Sequence, residues 1–91
     1  MSTRVAVIAI IVEQGSSTQE LNRLLHDASP YIIGRMGIPY RDRGINIISV
    51  AIDAPQNVIS TLSGAIGRLP GVSTKTAYSA VITEMEELEQ P

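Results

Sequence analysis

The sequence contains no cysteine, tryptophan or phenylalanine, and only one histidine. Without cysteine there can be neither a disulfide framework nor a thiolate metal site. That composition is compatible with a reducing cytoplasm, where the protein is expected to reside. His26 has no second imidazole and no thiolate to complete a transition-metal ligand set, so neither a metal nor another cofactor is expected. It falls beside Asn22 and Asp27, off the apolar side of its segment, and reads as a solvent-exposed residue. Aromatic residues are limited to Tyr31, Tyr40 and Tyr78, too few for a base-stacking platform. Charge is sparse and unevenly spread. The formal net charge is −2, yet the final stretch EMEELEQP holds four of the nine acids and no base. The rest of the chain sets seven bases against five acids, far from the basic stripe of a nucleic-acid binder. Direct nucleic-acid binding is not expected.

Long hydrophobic runs are missing as well. The longest, VAVIAIIV, covers residues 5–12, whereas a membrane helix needs about 20. The expectation is a soluble protein without a membrane partner. Catalytic constellations are equally scarce. Ser16, Ser17, Ser29, Ser49, Ser60, Ser63, Ser73 and Ser79 are present, but no nucleophile elbow or base partner accompanies them. The acids Glu84, Glu86, Glu87 and Glu89 read as a solvated face or tail. The chain is therefore expected not to be an enzyme.

What is present is a regular alternation of strand and helix signals. Residues 5–12 are rich in β-branched side chains and end before Gly15, as a central strand would. In SSTQELNRLLHDAS, Ser17 and Glu20 have capping-box spacing. Leu21, Leu24, Leu25 and Ala28 mark one helical face, and Pro30 ends a helix of about residues 18–28. Residues 31–38 return to strand character, with Gly34 and Gly37 suggesting a bulge and Pro39 an edge strand or strand end. PYRDRG reads as a turn, in which Asp42 can bond its own backbone and Gly44 can take positive φ. INIISVAID is a strand. Asp53 is placed to cap a second helix with Pro55 in its first turn. Val58, Ile59, Leu62, Ala65, Ile66 and Leu69 form that helix's apolar stripe, LPGV ends it, and VSTKTAYSAV alternates as a final strand carrying Lys75 as an edge lysine.

The order βαββαβ with right-handed crossovers interleaves two βαβ halves into one antiparallel sheet of order 4-1-3-2. The fold class is therefore α+β, a ferredoxin-like plait with a four-stranded antiparallel sheet and two helices on one face. Residues 1–83 form one domain and residues 84–91 an acidic C-terminal tail.

The sheet's second face should read polar if it met only water, and it does not. Val5, Val7, Ala9 and Ile11 alternate with Ala6, Ile8, Ile10 and Val12, and neither set contains a polar residue. Ile48, Val50 and Ile52 suit the helix side, which leaves Ile45, Ile47, Ser49 and Ala51 outside. An apolar surface of this kind is normally covered, so a homo-oligomer, dimer or tetramer, is expected. The alternative cover is the C-terminal segment, where Val81, Met85 and Leu88 are spaced for a short amphipathic helix.

Two loops are candidate binding elements. Gly15, Ser16 and Ser17 precede a helix N-terminus, which favours anions, although every capped helix has this property and a plain structural cap explains them. Arg35, Arg41 and Arg43, with Gly37 and Tyr40 among them, concentrate guanidinium groups that could hold a carboxylate or phosphate. Loops of this composition are common, and the same residues read as the charged tip of a hairpin, or as pairing with the acidic tail across subunits.

The stretch GRMGIPYRDRGINIISVAID, with R-x-G-x-P-x-R at Arg35, Gly37, Pro39 and Arg41, and LSGAIGRLPGVSTKT from Leu62 to Thr76, resembles the small ACT-like regulators of the iron-only hydrogenase system. The similarity runs from Val5 to about Val81 and implies the ferredoxin-like plait of ACT domains and of the related nickel-sensing domains. ACT domains typically bind amino acids at subunit interfaces through the loop after the first strand. Gly15 holds a comparable place, but the usual acidic-proline-glycine context is missing. The histidine and cysteine ligands of the nickel sensors are also absent. The resemblance implies a non-enzymatic regulatory or sensor domain that binds a small anionic metabolite or a partner protein at an oligomer interface, linked to iron-only hydrogenase. An accessory or assembly module without a small-molecule ligand is the alternative, and a small oligomeric enzyme is the third reading.

Overall fold

The computed structural model describes residues 2–13 and 15–84, with side chains as far as residue 80. Strand β1 (Ser2–Glu13) leads into helix α1 (Thr18–Asp27) and a short 3-10 turn, Ser29–Tyr31. Strand β2 (Ile32–Tyr40) and strand β3 (Ile45–Ala54) flank a second 3-10 turn, Arg41–Arg43. Helix α2 (Gln56–Gly67) and strand β4 (Val72–Glu84) complete the described chain. The strands form one sheet of order β2-β3-β1-β4, with every neighbouring pair antiparallel. This is the topology expected from two interleaved βαβ halves, and the fold is the ferredoxin-like, ACT-like plait.

The core lies between the sheet and the helices. Ala6, Ile8, Ile10 and Val12 of β1 and Val50, Ile52 and Ala54 of β3 meet Leu21 and Leu25 of α1 and Ile59, Leu62 and Ile66 of α2. All are buried. Burying each of the valines, leucines and isoleucines among them contributes about 1.5–3 kcal/mol, and these positions hold both helices on one face. The alternation visible in β1 sorts the strand into two faces: Ala6, Ile8, Ile10 and Val12 are buried, and Val5, Val7 and Ile11 face outward.

Three local expectations are corrected. Ser17 does not form a capping box with Glu20. It sits at the N-cap of α1 in a left-handed conformation (φ 47°) with no side-chain cap bond. Its hydroxyl instead donates to the Pro70 carbonyl at 2.8 Å, because the α2–β4 turn packs against this loop. Asp53 does not cap α2. It belongs to β3, opposite Val5, and Pro55 occupies the N-cap one residue before the helix. Val81 is not helical, since β4 extends to Glu84. Met85 and Leu88, the rest of that expected helix, and the acidic residues 85–91 lie outside the described residues. Pro39 lies in β2, an edge strand, and Gly44 takes φ 64°. The turn between β2 and β3 closes through a bond from the Gly44 N–H to the Arg41 carbonyl at 3.1 Å.

Candidate functional site

Register brings distant loops to one end of the sheet. Tyr40 pairs with Ile45, Ile45 with Glu13, and the Glu13 N–H donates to the Gly71 carbonyl at 2.8 Å. The β1–α1 loop with Gly15, Ser16 and Ser17, the hairpin tip with Tyr40, Arg41 and Arg43, and the α2–β4 turn therefore share one margin of the sheet. The β1–α1 loop is a built structure. Ser16 Oγ donates to the Glu13 carbonyl at 2.9 Å, and Ser17 Oγ is committed to Pro70. Gly71 has φ 71°, and a Cβ there would collide with Ser16 Oγ, so only glycine lets the two turns close on each other.

Arg35 does not join this group. It stands six residues before Arg41 on β2, about 20 Å away at the rise of an extended strand. It faces the helix side, where its Nη2 donates to Asn22 Oδ1 at 3.3 Å. Arg41 and Arg43 are exposed in the 3-10 turn, and Tyr40 is exposed on the opposite, open face of the sheet.

The open face of the sheet is largely apolar. Paired residues across the sheet place Ile38, Ile47 and Ile11 in one row and Met36, Ser49, Ala9 and Lys75 in the next. Val5, Val7, Ile11, Met36, Ile38, Tyr40 and Ile47 all remain exposed, with Met36 at 60 %. Such a contiguous apolar surface is uncommon on an isolated soluble domain.

At the far end, a clamp escaped the sequence. Arg4 lies 4.7 Å over the Tyr78 ring and donates to Gln56 Oε1 at 3.0 Å and to the Ser79 carbonyl at 2.9 Å. Its partners lie 52 and 75 residues away, so no local spacing announces it. Among the described residues, no three His, Cys, Asp or Glu side chains are grouped to hold a metal ion, and no helix is long and apolar enough to cross a membrane.

A family model described as "TM1266-like: Iron-only hydrogenase system regulator, putative" matches residues 4–76. The chain belongs to this family. Among solved structures, it is similar to the uncharacterized protein TM1266 from Thermotoga maritima, with 32 % identity and a TM-score of 0.81. The match covers 84 % of this chain and 96 % of that one. A formyltetrahydrofolate deformylase from Pseudomonas putida KT2440 shares the fold at a TM-score of 0.59 and 14 % identity, over 80 % of this chain and 28 % of the enzyme's. No match to the chain was found among curated proteins. The TM1266-like family is described as regulatory, and the Thermotoga maritima protein shares the plait seen here.

Proposed function

We propose that this TM1266-like chain is a non-catalytic regulator of the iron-only hydrogenase system that works in the cytoplasm as a homo-oligomer. Copies associate through the open face of the sheet. Their effector, a small anionic metabolite or a partner protein, is met by arginines at the margins of that assembly. The observation that carries this reading is the exposed apolar surface of Val5, Val7, Ile11, Met36, Ile38, Tyr40 and Ile47. Covering it removes apolar area from water, at about 25 cal/mol per Å², and supplies stability that a small core lacks. Closed two-fold symmetry is the commonest way for one surface to cover itself. The family description supports a regulatory role.

The test combines the mass in solution with thermal denaturation in the presence of a panel of small anions. Assembly together with stabilisation by an anion supports the metabolite-responsive form. Assembly without stabilisation, and with a protein that co-purifies stoichiometrically, supports the partner-protein form. A stable monomer, or turnover of a substrate by the chain alone, contradicts the proposal.

A further inference from the structure

Asn22, Leu25, His26 and Ser29 are spaced so that they share one side of α1 and the turn that continues it. Strand β2 runs along that side, and its pairing contains an irregularity. Ile32 is opposite Ile52, Gly34 is opposite Ala51 and Arg35 is opposite Val50, with a register shift between Ile32 and Gly34. In an uninterrupted strand, residues 32 and 35 would point to opposite faces. The extra residue of the bulge puts both on the helix side, shared with buried Ile52 and Val50. The bulge thereby turns Arg35 away from the open face and toward α1, where it meets Asn22.

Asn22, Leu25, His26, Ser29, Ile32 and Arg35 line a cleft of about 530 Å³, within the size range of small-molecule sites. Leu25 and Ile32 give it an apolar floor. The other four residues can all donate hydrogen bonds, and none of the six is acidic. Arg35 engages Asn22 through Nη2 alone, which leaves further guanidinium N–H groups for a ligand. Because Asn22 accepts through Oδ1, its Nδ2 donors remain for a ligand as well.

The donor set selects among anions. One permanent cation with hydrogen-bond donors around it suits a small anion, and the planar guanidinium matches a carboxylate in bidentate fashion. The floor favours an aliphatic substituent. With no acid in the cleft, an ammonium group would find no counterion, which disfavours a free amino acid.

We propose that the cleft between α1 and β2 binds a small aliphatic carboxylate, its carboxylate on Arg35 and its hydrocarbon on Leu25 and Ile32. The proposal rests on the metabolite-responsive form of the function given above and names its site and ligand class. The test is an NMR titration of the protein with 4-methylpentanoate, acetate, leucine and inorganic phosphate, with the solution mass measured on the same samples. 4-Methylpentanoate should shift the amides of Asn22, His26 and Arg35 and the methyl groups of Leu25 and Ile32. It should bind on the order of tenfold tighter than acetate, which cannot cover the floor. It should also bind on the order of tenfold tighter than leucine, which has a similar hydrocarbon but carries the unmatched ammonium.

Arg35→Gln, at an exposed edge-strand position, should stay folded by circular dichroism and lose these shifts, whereas Arg41→Ala should keep them. Silence of the cleft residues, an unchanged response in Arg35→Gln, loss of response in Arg41→Ala, or equally tight binding of leucine or phosphate overturns the proposal. An assembled protein with a silent cleft refutes this site alone. A monomeric protein refutes the assembly on which the proposed function stands.

Discussion

Ile11→Glu is the sharpest perturbation of the open face. Ile11 sits in the row with Ile38 and Ile47, and 43 % of its surface is exposed. Full burial of an isoleucine contributes about 1.5–3 kcal/mol, so covering the remaining two-fifths contributes about 1 kcal/mol per copy. A two-fold contact covers each residue twice, giving about 2 kcal/mol per pair. The introduced carboxylates must also lose water, at a cost of several kcal/mol per ion in a dry contact. A loss of at least about 4 kcal/mol in association is expected, which raises the dissociation constant roughly a thousandfold. The isolated domain should tolerate the change. Lys75 faces Ala9 on the adjacent strand, diagonal to position 11, and can pair with the new charge. Sedimentation velocity, with circular dichroism to verify the fold, reads the outcome. A folded variant that sediments as the unmodified protein does would refute burial of this face between copies.

Gly71→Ala should destabilise the chain by about 2 kcal/mol or more, from the left-handed conformation and the collision with Ser16 Oγ; urea denaturation measures it, and Ser16→Gly in the same chain should recover part of the loss. Ser17→Ala should cost about 1 kcal/mol through the lost bond to Pro70. Glu20→Ala should change stability by less than about 0.5 kcal/mol, and a larger loss in the same denaturation assay would restore the capping box. Arg4→Met keeps much of the aliphatic stem but loses two hydrogen bonds and the contact with the Tyr78 ring. About 2 kcal/mol should be lost, read as a drop in thermal midpoint.

The elements that were legible in advance are those with a local period. β1 shows an uninterrupted apolar run and β3 a mostly apolar one, and the helix stripes at Leu21–Leu25 and Ile59–Ile66 recur at helical spacing, so strand order and helix placement followed from topology rules. The apolar open face was legible because β1 alternates between two sets that are both hydrophobic. What local pattern does not encode is long-range pairing. The role of Ser17 depends on Pro70, 53 residues away, and local capping spacing pointed to Glu20 instead. Asp53 has the right chemistry for a cap, yet β3 keeps it in register with Val5 and passes the N-cap to Pro55.

The candidate loops were individually visible, but only the register unites the β1–α1 loop with the hairpin tip. The same register separates Arg35 from Arg41 and Arg43. Gly34 hinted at a bulge, but its consequence, that Arg35 changes face and joins His26, needed the pairing with Val50.

Light scattering of the unmodified chain across a dilution series tests the central claim most directly. Coverage of the open face by a second copy predicts a mass that is a multiple of 9.8 kDa and falls only on strong dilution. A single 9.8 kDa species at every concentration, up to the highest attainable, would contradict it.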